Sequence, residues 1–293
     1  MIARAVALLL LACATPASAD RLALDGKPMQ GALVRCATEP GAAVALDGRA
    51  VRVSPEGYFV LGFGRDAVQR AELRVRFSDG SAIELPVTVA QRTYQIQRID
   101  GLPQRQVTPP DEDLAQIRDE RRLIDAAHES DSANAFWRKR FIWPASGSIS
   151  GVYGSQRILN GEPRRPHLGV DIAAPADTPV VAPCDGVVVL AHPNLYFNGN
   201  LVVLDHGHGV TTSYSHLSVV RVHEGERVRQ GDVIGAIGAT GRVTGPHLHW
   251  GLSVFDVALD PALVAGPPPT PASAGAATAT APDAPGSSPP AAR

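Results

Sequence analysis

Gly245-Pro246-His247-Leu248-His249-Trp250 is the stretch from which the fold can be read. Alternate side chains of a β-strand share a face, so an extended chain here puts His247 and His249 on one side and Leu248 and Trp250 on the other. The apolar pair then faces a core and the imidazoles face solvent or a ligand. A helix is disfavoured because Gly245 and Pro246 directly precede the pair. On its own a His-x-His pair is either part of a metal site or a pair of ordinary surface or core histidines, and the rest of the chain has to decide.

Further ligand-type residues lie upstream. His167 and Asp171 stand four apart in Arg165-Pro166-His167-Leu168-Gly169-Val170-Asp171, where Pro166, Gly169 and Pro175 indicate a loop running into a strand rather than a helix. Between the two stretches comes Thr212-Ser213-Tyr214-Ser215-His216-Leu217. His167, Asp171 and His249 would supply two nitrogens and one oxygen. A three-residue shell leaves a position for water, as catalytic rather than structural zinc sites do. His216 and His247 are then left as further imidazoles beside that shell.

His167-x-x-x-Asp171, Tyr214-x-His216-Leu217 and Thr244-Gly245-Pro246-His247-Leu248-His249 together resemble the three signatures of the lysostaphin-type (LytM-like) zinc endopeptidases. The resemblance covers roughly residues 142–261. It implies one Zn2+ per chain, with His167, Asp171 and His249 as metal ligands and His216 and His247 as the catalytic pair. It also implies an activity, hydrolysis of peptide bonds in peptidoglycan stem or cross-bridge peptides. Members often carry a glutamate after the aromatic residue that follows His-x-His. Here Gly251 stands there, a departure that bears on substrate preference and touches no ligand position. The chain has no His-Glu-x-x-His arrangement, so His216 or His247 would act as general base or stabilise the oxyanion.

Met1 to Ala19 reads as a secretory signal: Arg4, an apolar run, then Ala17-Ser18-Ala19. Cys13 offers a lipoprotein alternative, with a poor lipidation box. Residues 20–100 show short alternating segments, such as Leu73, Val75 and Phe77, separated by Asp47-Gly48, Pro55-Glu56-Gly57 and Asp79-Gly80 turns. They read as a small β-sandwich of immunoglobulin-like size, a spacer or a docking module for a cell-envelope protein partner. Tyr94 and Ile96 are included in that pattern. Gly62 and Gly64 read as bulge glycines.

Residues 101–141 form a helical connector, with Leu114, Ile117, Arg121 and Ile124 on one helical face and a solvated His128. Residues 142–262 are an antiparallel β domain: Val187–Leu190, Leu201–Leu204, Val210–Tyr214 and Val233–Ile237 are short β-type runs between glycine turns. His206 and His208 read as turn residues and His192 and His223 as surface-loop histidines. Residues 222–235 also resemble the hairpin of biotinyl and lipoyl carrier domains, but no lysine follows Lys139 to carry a cofactor. The proline- and alanine-rich residues 263–293 read as a disordered tail. The fold class is therefore mainly β: sandwich, helical connector and peptidase sheet.

A net charge of −2 gives no basis for nucleic-acid binding, and no stretch is apolar enough to span a membrane. Cys36 and Cys184, which remain after signal removal, fall in different predicted domains and are expected to be free thiols. The signal, the arginine-rich composition and the absence of wall-binding repeats point to a Gram-negative periplasm. Within the resemblance, that address implies cleavage of the D-alanyl–diaminopimelate cross-link. Two other readings follow from the same family: a non-catalytic regulator that activates a cell-wall amidase, and a peptidase acting on a protein substrate.

Overall fold

A computed structural model of the chain describes residues 21–99, 111–159 and 161–268. The signal segment, Cys13, the connector's first ten residues and most of the tail lie outside these. Among the described residues, the N-terminal part holds β1 (Leu22–Asp25), β2 (Leu33–Thr38), β3 (Ala43–Leu46), β4 (Arg49–Val51), β5 (Tyr58–Gly62), β6 (Arg70–Arg76) and β7 (Ala82–Thr88). Two sheets, ordered β1-β2-β5 and β4-β3-β6-β7, form the sandwich. Leu73, Val75 and Phe77 point into its core with Phe59 and Leu61, and the intervening arginines face out. The Asp47-Gly48 turn closes the β3–β4 hairpin with both residues at positive φ, 48° and 78°, as a two-residue primed turn requires.

Next come β8 (Ile96–Ile99), α1 (Leu114–His128), β9 (Ser148–Gly151), β10 (Gln156–Leu159) and β11 (Glu162–Pro163). The alternating segment after Tyr94 does not belong to the sandwich. β8 runs parallel to β10, with Ile96 opposite Gln156, and so joins the C-terminal part. Alternation alone identified a strand there, but a non-local pairing decides its sheet.

The remaining elements are β12 (Val170–Ala173), β13 (Pro179–Val181), β14 (Gly186–Leu195), β15 (Gly199–Gly207), β16 (Val210–Val220), β17 (Arg227–Val228), β18 (Val233–Ile237), β19 (His247–Val254), β20 (Val257–Leu259) and α2 (Ala262–Ala265). They build an antiparallel sheet in the order β17-β14-β15-β16-β19-β12-β9, with β13, β18 and β20 attached at its sides.

Each face of this sheet has its own cover. On one face Ile172, Val202, Leu204, Tyr214, Leu248 and Trp250 form the main core. Leu248 and Trp250 are fully buried, as the reading of the opening stretch requires. Further along, Leu252 of β19 and Leu259 of β20 join Leu33, Val60, Trp137 and Phe141 in a cluster shared with the sandwich. Gly62 sits at this junction. A Cβ there would meet Val254 Cβ at 3.1 Å, and one at Gly64 would meet Val257 Cγ1 at 3.2 Å. β5 pairs regularly with β2 through Gly62, so these glycines permit close approach of the two parts rather than a bulge.

The opposite face of the sheet is covered in part by α1. Ile124 and Ala127 of α1 pack on Leu190, Leu195, Leu201 and Val203. His128 is not a solvated residue of the helix end. It is half-buried, its Nδ1 lies 2.7 Å from Thr211 Oγ1, and burial pushes its pKa below the ordinary value. His206 is likewise more than a turn residue. It lies on β15, is wholly buried, and bridges the Asp185 carbonyl and the Thr212 hydroxyl, both at 2.7 Å. His208 does occupy the turn, at φ 54°, buried against Trp137. His192 is part of β14, whereas His223 is exposed in a loop. Cys36 and Cys184 are free and buried, in the sandwich core and the shared cluster respectively.

Candidate metal centre

The uncovered part of the sheet carries the five residues singled out above. β12 and β19 are antiparallel neighbours in a register that sets Asp171 directly opposite His249 and Ala173 opposite His247. Cross-strand partners share a face, so Asp171 and His249 emerge together on the side away from Trp250. His167, in the loop just before β12, bends over them. The three donor atoms form a nearly equilateral triangle: His167 Nε2 to Asp171 Oδ1 2.9 Å, His249 Nδ1 to Asp171 Oδ1 2.9 Å, and His167 Nε2 to His249 Nδ1 3.0 Å. These three side chains form a group that could hold a metal ion.

The protonation pattern fits a cation. His167 Nδ1 donates to the Val152 carbonyl at 3.1 Å, which leaves Nε2 of the neutral ring as a lone pair. A lone pair, a carboxylate oxygen and a second imidazole nitrogen brought this close repel one another unless a positive charge sits among them. A proton on either ring can also play that part: burial would raise the Asp171 pKa, but hydrogen bonds from protonated His167 and His249 outweigh it and hold the carboxyl well below the usual range. Tetrahedral zinc uses this donor set, with ligand bonds of about 2.0–2.2 Å.

Two glycines make room. A Cβ on Gly151 of β9 would fall 2.3 Å from Asp171 Oδ2, and one on Gly169 would fall 2.6 Å from the Trp250 carbonyl oxygen and 2.7 Å from His249 Cε1. Both distances are far inside van der Waals contact. Gly169 was visible in the sequence, but only as a loop signal; Gly151 carried no signal at all.

His216 and His247 stand beside the triangle. Their ring centroids are 4.8 Å apart, and His216 is 6.4 Å from His249. By strict alternation His216 would share the core face with Tyr214. Instead it adopts φ 67°, a left-handed conformation rare for a non-glycine residue, near a register irregularity in β16. That break in the pleat lets it reach His247. Its Nδ1 donates to the Thr240 carbonyl at 2.9 Å, and His247 Nδ1 donates to the Gly245 carbonyl at 2.9 Å. An imidazole anchored in this way has its Nε2 left for other partners. Burial pushes the His216 pKa down to about 4, so the ring is neutral near pH 7.

Thr240 holds this arrangement in a way the sequence did not signal. Its Oγ1 accepts the Asn200 amide at 2.9 Å and donates to the Leu217 carbonyl at 2.9 Å, which fixes the carbonyl that orients His216. The rings thus converge by strand register, a bent loop and one strained residue.

Residues 165–261 match the family model described as Peptidase family M23. The chain is 47% identical over 104 residues to the peptidoglycan DD-endopeptidase ShyA of Vibrio cholerae, covering 32% of this chain and 24% of that protein. It is 46% identical over 105 residues to the DD-carboxypeptidase/endopeptidase Mpg of Neisseria meningitidis, covering 36% of this chain and again 24% of the relative. The matched stretch thus spans about a quarter of these curated relatives. A solved structure described as a peptidase M23 from Pseudomonas aeruginosa superposes with a TM-score of 0.65 at 30% identity, covering 82% of this chain and 96% of the other. A likeness that spans nearly all of the Pseudomonas chain, together with the matched peptidase segment, shows that this chain belongs to peptidase family M23.

Proposed function

We propose that this protein is an exported, zinc-dependent endopeptidase that hydrolyses peptide cross-links of peptidoglycan in the cell envelope, with the Gram-negative periplasm as its compartment. The observation that carries this reading is the triangle of His167 Nε2, Asp171 Oδ1 and His249 Nδ1, with sides of 2.9–3.0 Å, beside the paired rings of His216 and His247. The two endopeptidase-named relatives support the substrate class.

In this reading His167, Asp171 and His249 hold one zinc ion. Bound zinc supplies Lewis acidity, which polarises a peptide carbonyl and makes water a usable nucleophile near neutral pH. The chain's own residues do the rest. The Val152 carbonyl fixes the His167 tautomer so that Nε2 faces the site. His216 and His247, each anchored at Nδ1 by a backbone carbonyl, present Nε2 to the reacting groups. One takes the proton of the attacking water at Nε2, and that same proton is then passed, directly or through the other ring, to the nitrogen of the leaving amine as the peptide C–N bond breaks. The neutral state of His216 near pH 7 suits it to accept a proton. An amidase regulator without activity has no use for a complete set of five such side chains, which favours the enzyme.

The test is digestion of purified sacculi, with the muropeptides separated before and after. Loss of cross-linked dimers and a matching gain of monomers is expected. Unchanged dimers in the presence of added zinc would contradict the proposal.

A further inference from the structure

A groove of about 640 Å3 runs between α1 and the open face of the sheet and passes His167 and His249. Its floor beyond His249 is made of small residues. Gly251 lies opposite Ser213, and Ser253 opposite Thr211. One wall is α1, and the loop carrying Arg165 closes the rim next to His167.

The charges along this groove are not evenly placed. His128 and Glu129 end α1 on Thr211 and line the groove with Asp256, about four strand residues, or about 13 Å, from the level of His249. Arg121 lies two turns back along α1, towards the cluster, and shares its end of the groove with Arg165. The acids at this end are already engaged. Glu120 accepts the Tyr196 amide at 2.8 Å and the Gln116 side-chain amide at 2.7 Å. Among the described residues the Asp125 side chain accepts only Arg121 Nε, at 3.2 Å, in a pair whose side chains are more than half exposed. Arg165 has no hydrogen bond or ion pair among the described residues. Two guanidinium groups thus line the groove that passes His167, Arg121 with one exposed carboxylate beside it and Arg165 with no paired acid among the described residues. Such a site is completed by an anion, and a planar guanidinium matches a carboxylate with two parallel hydrogen bonds.

We propose that Arg165, assisted by Arg121, is a specificity-determining residue that binds a free carboxylate on the substrate residue flanking the scissile bond; this rests on the endopeptidase reading above. Stem peptides of the wall carry such carboxylates on their diaminopimelate residues, and amidation removes the charge while preserving the shape. The groove therefore distinguishes free from amidated peptides. A hydrogen bond to a charged group contributes about 1.5–3 kcal/mol, so the preference is on the order of 10- to 100-fold.

The experiment compares cross-linked dimers with free and with amidated diaminopimelate carboxylates. It uses the full chain as wild type, Arg165→Gln, Arg165→Lys and Arg121→Gln, and calorimetric binding of the corresponding uncross-linked tetrapeptides accompanies the kinetics. Wild type is expected to favour the free carboxylate, mainly through KM. Arg165→Gln should close the gap between the two substrates, Arg165→Lys should restore part of it, and Arg121→Gln should narrow it less. Zinc content separates these effects from damage to the metal centre. Equal losses on both substrates, or a preference that survives in Arg165→Gln, would overturn the inference while leaving the endopeptidase reading intact. Wild type that cleaves neither dimer but binds the free tetrapeptide more tightly would overturn the endopeptidase reading and keep the subsite. Wild type that neither cleaves nor discriminates would overturn both.

Discussion

Asp171 is the direct cross-strand partner of His249, and a side chain at either neighbouring glycine would strike one of the two. The candidate metal centre is therefore fitted to the backbone of β9 and of the loop before β12 as closely as to the side chains proposed as its ligands. Gly169→Ala should drive its new methyl into His249, and Gly151→Ala into the Asp171 carboxylate. Each is expected to weaken zinc affinity by about 10-fold or more, as losing a supporting contact of a ligand does. The fold should persist, because the main core lies on the other face of the sheet. Zinc titration monitored with a competing chelator, alongside circular dichroism, checks this. Wild-type affinity in both variants would mean that the strands yield more readily than their pairing suggests.

His206 makes stability depend on pH. Burial pushes its folded pKa from the ordinary 6.5 down to about 4. Between those values the unfolded chain binds a proton that the folded chain excludes, so stability falls as pH drops from 6.5 towards 4. A shift of this size corresponds to about 3 kcal/mol for a fully buried group. His216, held low to about 4, acts in the same direction and window. His206→Gln should be less stable than wild type at pH 7, with a deficit that shrinks towards pH 4. Urea denaturation at several pH values measures it, and a deficit that stays constant would show that His206 does not titrate on unfolding.

Arg92 and Asp260 tie the sandwich segment to the peptidase sheet. Arg92 Nη1 lies 2.9 Å from Asp260 Oδ2, whose side chain is only 6% exposed, and Asp260 Oδ1 also accepts the Ala262 amide at 3.1 Å. Removing the arginine leaves a buried carboxylate short of its partner. Arg92→Ala is expected to cost about 2–4 kcal/mol and to speed proteolysis at the junction. Arg92→Ala with Asp260→Asn should recover part of the loss. Thermal denaturation of the single and double variants decides this, and a negligible cost for Arg92→Ala would show that the apolar cluster around Leu33, Val60 and Leu259 holds the parts together alone.

The strands were legible wherever burial is one-sided or glycine marks a turn, as at Leu73-x-Val75-x-Phe77 and Leu248-x-Trp250. The five candidate site residues could be singled out because each sits in a short, unusual local pattern, and the fold brings them together. What escaped depends on contacts distant in sequence. β8 pairs with β10, and α1 closes one wall of the groove with Arg121 and His128. His206 is buried by a chain reversal, and Gly62 lies where two sheets meet. A residue's own neighbours in sequence do not specify such meetings. The positive φ of His216 is of the same kind, since the Thr240 loop and the β16 irregularity impose it from outside.

Zinc content and muropeptide release, measured on the same preparations of His249→Ala, His247→Ala and His216→Ala, test the central claim most directly. His249→Ala removes one corner of the donor triangle and should lose both zinc and activity. His247→Ala and His216→Ala should keep about one zinc per chain and lose turnover by about 100-fold or more, as loss of a proton-transfer group does. The opposite pattern, His247→Ala or His216→Ala without metal and His249→Ala with it, would contradict the assignment of ligands and catalytic pair.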